Sequence, residues 1–223
     1  MRERRLDAGG AARQSRTERP AKNSMSLRSS YSWLAPVYDL VVTGALAGAR
    51  GRSIARLPVA GGLDIFINGI GTGLDLPLLP AAHRYAGLDL TRAMLERARP
   101  RRRGLELELV EGDSQRLPFR DASFDAALLH LILAIVPDPV AALRETARVL
   151  KPGGRVLVLD KFLRAGQPAP LRRLLSPLAA RIATHLDVVF EDVLSAVPGL
   201  VLVSDAPALA RGWFRSIELV KSI

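Results

Sequence analysis

The stretch INGIGTGLDLPLLP, residues 67–80, places three glycines directly after a run of apolar residues. The run predicts a buried strand over residues 63–68, and Gly69, Gly71 and Gly73 predict a turn whose backbone a ligand can approach closely. In α/β sheets, small ligands bind beyond the carboxyl ends of the strands. This bend therefore predicts a fold class and the place of a site together.

Strand and helix patterns alternate after the bend. Short apolar runs separated by amphipathic segments imply a parallel sheet covered by helices on both faces, which is an α/β fold. The last two strands have too short a connection for a crossover helix, so they are expected to pair antiparallel at the sheet edge. The further strands are predicted over residues 84–89, 105–111, 123–131, 155–160, 200–204 and 214–220, and the helices over residues 92–99, with Thr91 as N-cap, and 140–150.

Composition limits the chemistry. A chain of 223 residues with 48% hydrophobic side chains can bury one sizeable core. It contains no cysteine, which excludes disulfides, thiolate catalysis and Cys-ligated zinc. Its three histidines lie far apart in the sequence, and we therefore predict no metal. The longest apolar stretch, residues 126–137, is too short to cross a bilayer, and a cytoplasmic location is expected.

The N-terminal segment differs in composition from the remainder. Residues 1–24 hold seven basic and three acidic side chains, a large part of the net charge of +10, and almost no large apolar residue. We expect a disordered leader, either a solvated tail or a segment that binds nucleic acid or anionic lipid, with Met25 as an alternative start. Residues 25–223 are expected to form a single domain. Within it, residues 31–57 form an N-terminal cap and residues 162–196 a helical insert.

Two classes of adenosine-containing ligand could use the glycine bend. A dinucleotide site requires GxGxxG, but Leu74 occupies the place of the third glycine, so the spacing favours an adenosyl ligand without a pyrophosphate. Asp89 closes the second predicted strand, where one carboxylate can accept both ribose hydroxyls. Asp113, which we place at the end of the third strand, could accept the adenine amino group.

The motifs INGIGTG, YAGLDLTRAMLERAR, LVEGDSQRLPFRDASFDAALL and ALRETARVLKPGGRVLVLD closely resemble the class I S-adenosylmethionine-dependent methyltransferases. The resemblance runs from about residue 31 to residue 160. It is strongest to the group that contains ubiquinone/menaquinone C-methyltransferases and bacterial phosphatidylethanolamine N-methyltransferases. It implies a three-layer Rossmann-like sandwich around a seven-stranded sheet with a reversed final hairpin.

The resemblance also implies the cofactor S-adenosyl-L-methionine and the residues that hold it. For Leu90 and Met94, plain core packing is the alternative. The implied contacts are Gly69, Gly71 and Gly73 with the methionine and ribose, Asp89 with the ribose, Leu90 and Met94 beside the adenine, and Asp113 and Ser114 at its edge.

One departure from the family pattern affects this site. The family usually has an acidic residue two positions before the first glycine, where this chain has Ile67, and Asn68 occupies a position that is normally apolar. Asn68 or Asp75 could substitute for the lost carboxylate, and we include Asn68 among the cofactor-binding candidates. The other readings are a weaker cofactor affinity and a catalytically inactive relative that keeps the fold.

Methyl transfer from a sulfonium mainly requires alignment, with a base only where the nucleophile must lose a proton. His130, after the fourth strand, is the candidate base, and a buried structural histidine is the alternative. Asp160 and Lys161, after the fifth strand, could bind the acceptor or pair with each other. Tyr31 and Tyr38 resemble residues that cover the cofactor pocket, with helix packing as the alternative.

The acceptor is the least determined part. The insert over residues 162–196 is apolar and carries Arg172, Arg173 and Arg181, which would suit a hydrophobic acceptor or peripheral contact with an anionic membrane. We expect a small hydrophobic acceptor such as a lipid or quinone. RNA or protein methylation and non-catalytic cofactor binding are the alternatives, and a nicotinamide oxidoreductase is disfavoured by Leu74.

Overall fold

The computed structural model describes residues 46–163, residue 166 and residues 187–223. Its centre is a seven-stranded sheet in the order β3-β2-β1-β4-β5-β7-β6. The strands are β1 (Asp64–Asn68), β2 (Arg84–Asp89), β3 (Glu106–Glu111), β4 (Phe124–His130), β5 (Leu150–Lys161), β6 (Leu200–Leu209) and β7 (Phe214–Lys221). The helices are α1 (residues 46–54), α2 (Arg92–Ala98), α3 (Pro139–Val149) and α4 (Phe190–Ser195).

Strands β1 to β5 pair in parallel, and β7 pairs antiparallel with both β5 and β6. Strands β2 and β3 lie on one side of β1, and β4 and β5 lie on the other. The strand order therefore switches between β1 and β4, and α/β sheets bind ligands at the carboxyl ends of the strands beside such a switch point. The predicted fold, a mostly parallel seven-stranded sheet with an antiparallel C-terminal hairpin, is confirmed.

Two strands are longer than the apolar runs predict. β5 begins at Leu150 because that residue already pairs with Phe124 of β4 across a register shift, so the KPGG turn lies inside the strand. β6 continues to Leu209 because β7 supplies partners that far. β3 ends at Glu111, as predicted. Asp113, which we placed at the end of this strand, lies in the connection that follows.

The sheet separates two apolar cores. Because side chains alternate along a strand, Phe66 of β1 packs on the face covered by α3 and α4, whereas Ile65 and Ile67 pack on the face covered by α1 and α2. The same alternation places Asn68 on the α3 face. Two residues at the end of β1 therefore point to opposite sides of the sheet.

Several predictions fall on residues that are not described: the leader over residues 1–24, Tyr31 and Tyr38, and most of the insert over residues 162–196, including Arg172, Arg173 and Arg181. Within the described ranges, none of the helices has the length and apolar character needed to span a bilayer. The same ranges contain no group of three or more potential metal-ligating side chains.

Candidate cofactor site

The glycine loop follows β1 and turns with left-handed backbone conformations. Gly69, Gly71 and Gly73 have φ angles of 71°, 55° and 80°, a region that side chains with a Cβ rarely enter. A Cβ on Gly69 would lie 2.6 Å from Cδ1 of Ile132, and one on Gly73 would lie 3.0 Å from Cα of Ala98. A Cβ on Gly71 would lie 4.0 Å from the backbone oxygen of Gly69, so the space beside this residue allows a ligand to approach its backbone.

Asp89 connects the end of β2 to this loop. Its Oδ2 accepts the Gly71 N–H at 2.9 Å, and its Oδ1 accepts the backbone N–H and the hydroxyl of Thr91 at 3.0 and 3.2 Å. Burial raises the pKa of Asp89, while these hydrogen bonds favour its ionised form. A carboxylate has about four acceptor positions, and these three bonds leave about one of them, which can accept a ribose hydroxyl.

The segment after β3 contributes Asp113 and Ser114 at the same edge of the sheet. Asp113 is exposed, and its Oδ1 accepts the backbone N–H and side-chain amide of Gln115. The Ser114 hydroxyl is buried and donates to Oδ1 of Asn68. Gly71, Asp89 and Asp113 therefore follow three neighbouring parallel strands, as the proposed adenosyl site requires.

Asn68 is fully buried, with 0% of its surface exposed. Its Oδ1 accepts the hydroxyl of Ser114, and its Nδ2 donates to Oγ1 of Thr146 on α3 at 3.2 Å. The amide thus joins β1 to α3 and to the loop after β3. The prediction that Asn68 binds the cofactor through its side chain is at odds with this placement, because its acceptor and one donor are already bonded inside the protein.

Leu90 and Met94 lie just beyond β2. Leu90 is half-buried and Met94 is buried on α2. Both positions are compatible with packing near an adenine and with plain core packing, and the adenine contacts remain predictions.

His130 ends β4 inside a buried network. Its Nε2 lies 3.0 Å from Oγ of Ser53 on α1, and its Nδ1 lies 3.1 Å from Oδ1 of Asp75. The same carboxylate oxygen accepts Nη1 of Arg50 at 2.6 Å. Since the imidazole is 1% exposed and both its nitrogens have partners, this geometry favours a structural or positioning role over proton exchange with an acceptor.

The charge on Asp75 is stabilised by this network. Burial alone would raise the pKa of Asp75, but the charges and hydrogen bonds of His130 and Arg50 outweigh burial and hold it well below its usual range. Sequence reasoning missed Arg50 and Ser53. The one signal in the sequence was Asp75, a carboxylate within the apolar stretch GLDLPLL, residues 73–79. Its partners Arg50 and His130 lie 25 and 55 positions away along the chain.

Asp160 and Lys161 end β5 with different surroundings. Oδ2 of Asp160 accepts the Ala134 N–H at 3.0 Å, and Oδ1 accepts the Lys161 N–H at 2.8 Å, so the carboxylate anchors the loop after β4. Burial raises the pKa of Asp160 to about 6. Lys161 is half-buried, and burial lowers the pKa of its amine while the Asp160 charge opposes that change.

Comparison with known proteins agrees with this geometry. Residues 63–158 match a family model described as "Methyltransferase domain". The chain is 34% identical over 194 residues to a phosphatidylethanolamine N-methyltransferase of Cereibacter sphaeroides, covering 84% of this chain and 93% of that protein. It is 34% identical over 144 residues to a demethylmenaquinone methyltransferase of a Mycobacterium species, covering 62% of this chain and 61% of the relative.

A solved structure shows the same fold at low sequence identity. A chain in the complex between the Haloferax volcanii methyltransferase activator Trm112 and a methyltransferase superposes with a TM-score of 0.73. The match covers 88% of this chain and 98% of that chain, at 20% identity.

Proposed function

Because this chain belongs to the class I S-adenosylmethionine-dependent methyltransferases, we propose that it methylates a small hydrophobic acceptor, a lipid or a quinone. The observation that carries the proposal is the 34% identity to a phosphatidylethanolamine N-methyltransferase over 84% of the chain. The similarity to a demethylmenaquinone methyltransferase covers less of the chain and gives the quinone alternative.

The described residues fit the cofactor, S-adenosylmethionine. Gly71 leaves its backbone approachable, and Asp89 retains about one acceptor position for a ribose hydroxyl. We assign the methionine and ribose to the glycine loop and Asp89, and the adenine to Leu90, Met94, Asp113 and Ser114. When bound, the cofactor supplies an electrophilic methyl group on a sulfonium with a good leaving group.

The protein's own task is to align the acceptor and exclude water. An amine acceptor must be unprotonated to attack. Lys161 is the candidate side chain for contact with the acceptor, because it is half-buried at the carboxyl end of β5, at the same edge of the sheet as the ends of β1 and β4. Asp160 supports the loop after β4 by accepting hydrogen bonds from backbone N–H groups. Tyr31 and Tyr38 are our candidates for covering the cofactor pocket.

The acceptor can be tested with radiolabelled S-adenosylmethionine. We expect methyl transfer to vesicles that contain phosphatidylethanolamine, or to a reduced demethylmenaquinone, with S-adenosylhomocysteine released in equal amount. Lys161→Met should lower kcat at least tenfold while leaving the Kd of S-adenosylhomocysteine within about twofold.

Two results would contradict the proposal. Transfer to RNA or protein in a cell extract, with none to either lipophilic acceptor, would indicate another acceptor class. Tight cofactor binding without turnover on any acceptor would indicate a binding protein.

A further inference from the structure

We propose that Asp75 is a positioning residue for the cofactor-binding glycine loop, and that with Arg50 and His130 it takes over the task of the carboxylate missing at Ile67. The inference concerns cofactor binding and does not depend on which acceptor is methylated.

The first argument is which face of the sheet each side chain occupies. Ile67 lies on the face covered by α1 and α2 and is 1% exposed. Because its side chain is apolar, this position supplies no charge to the loop. Asp75 is bonded to Arg50 of α1, and His130 ends the neighbouring β4 with its ring against α1. The network therefore lies on the same face of the sheet as Ile67.

The second argument is that Asn68 cannot fill this role. It points to the opposite face, and its amide is bonded to Ser114 and Thr146. Of the two substitutes that the sequence suggests for the missing carboxylate, only Asp75 is on the required side.

The third argument is how the network holds the loop. Asp75 lies two residues after Gly73, and its backbone oxygen accepts the Leu78 N–H at 2.9 Å, which begins the turn that leaves the loop. Asp89 holds the Gly71 N–H from β2. Asp89 thus holds the loop at its centre, and the Asp75 carboxylate ties the residue at the end of the loop to Arg50 of α1 and His130 of β4.

The fourth argument is energetic. Asp75 is 5% exposed, and a buried ion pair stabilises a fold no better than well-packed apolar side chains of similar size. The pair here is less favourable still, because the buried Nε of Arg50 has no hydrogen-bond partner in the described part of the chain. Stability alone therefore gives a poor reason for these charges, whereas fixing the direction of a loop requires directional bonds.

The test compares two ligands that share the adenosine half of the cofactor. S-adenosylhomocysteine carries the amino acid half and 5′-methylthioadenosine lacks it. If Asp75 positions the loop beside the amino acid half, Asp75→Asn should weaken S-adenosylhomocysteine binding about tenfold or more while changing methylthioadenosine binding less than about threefold. Both Kd values are measured by calorimetry well below the unfolding temperature.

Arg84→Met is the matched control, because it breaks an exposed arginine–aspartate pair with Asp64 at the far end of the strands, and both affinities should stay unchanged. Arg50→Lys keeps the charge and should recover most of the S-adenosylhomocysteine affinity that Arg50→Met loses.

A variant that replaces Arg50, Asp75 and His130 together, and keeps Ser53, guards against misfolding. Arg50→Met/Asp75→Leu/His130→Leu removes the bonds of the Asp75 carboxylate without leaving a buried charge unpaired, so it is expected to fold. It should show the same selective loss of S-adenosylhomocysteine affinity. Wild-type affinity in this variant, or an equal loss for both ligands in Asp75→Asn, would overturn the proposal.

Discussion

At the scale of single residues, Asp160 makes stability depend on pH. Burial raises its pKa from 3.8 to about 6, so between these values the folded protein holds a proton that the unfolded chain has released. The contribution of Asp160 to the free energy of unfolding is therefore complete below about pH 4 and is lost as pH rises to about 6. A shift of about two units corresponds to a loss of about 3 kcal/mol.

The measurement isolates this carboxyl group by comparing wild type with Asp160→Asn. Urea unfolding of both proteins at several values between about pH 4 and pH 7 gives the difference in their free energies of unfolding. That difference should move by about 3 kcal/mol in favour of the variant as pH rises. A difference that stays constant over this range would show that Asp160 titrates normally.

At the scale of elements, one buried amide joins β1, α3 and the loop after β3. Asn68→Val removes the acceptor of the Ser114 hydroxyl and the donor to Thr146, so the free energy of unfolding should fall by about 1 to 3 kcal/mol. Denaturant unfolding measures the change. Adding Ser114→Ala removes the orphaned hydroxyl, so the double variant should lose less than the sum of the two single losses. Strict additivity would mean that the amide and the hydroxyl do not interact.

The same elements show how far sequence reasoning reaches. The sequence predicts all seven strands, because an apolar run marks each of them, including the two that pair antiparallel at the edge. The longer extents of β5 and β6 depend on pairing partners that the local sequence does not contain. The glycine loop and Asp89 could be proposed as site candidates from the sequence because each has a local signal, a turn and a strand end. Arg50 was not found, because its importance comes from a contact with Asp75, 25 positions away.

At the scale of the whole molecule, cofactor binding should stabilise the fold, since a ligand that binds only the folded state adds its binding free energy to stability. At a concentration about 100 times its Kd, S-adenosylhomocysteine should add about 2.7 kcal/mol. For a chain of this length, each kcal/mol raises Tm by about 2 to 4 °C, so a rise of about 5 to 10 °C is expected. NADH should produce no rise, because Leu74 occupies the place of the glycine that a dinucleotide site requires.

We expect Asp89 to be the residue on which this Tm shift depends. Asp89→Ala removes the bond to the Gly71 N–H and the proposed ribose acceptor together, so the Tm shift with S-adenosylhomocysteine should nearly vanish. Arg84→Met, which changes an exposed pair away from the glycine loop, should keep the full shift. Differential scanning calorimetry of the three proteins with and without ligand gives the comparison. An undiminished shift in Asp89→Ala would place the adenosyl group elsewhere, because removing a carboxylate that accepts a ribose hydroxyl should lower the affinity.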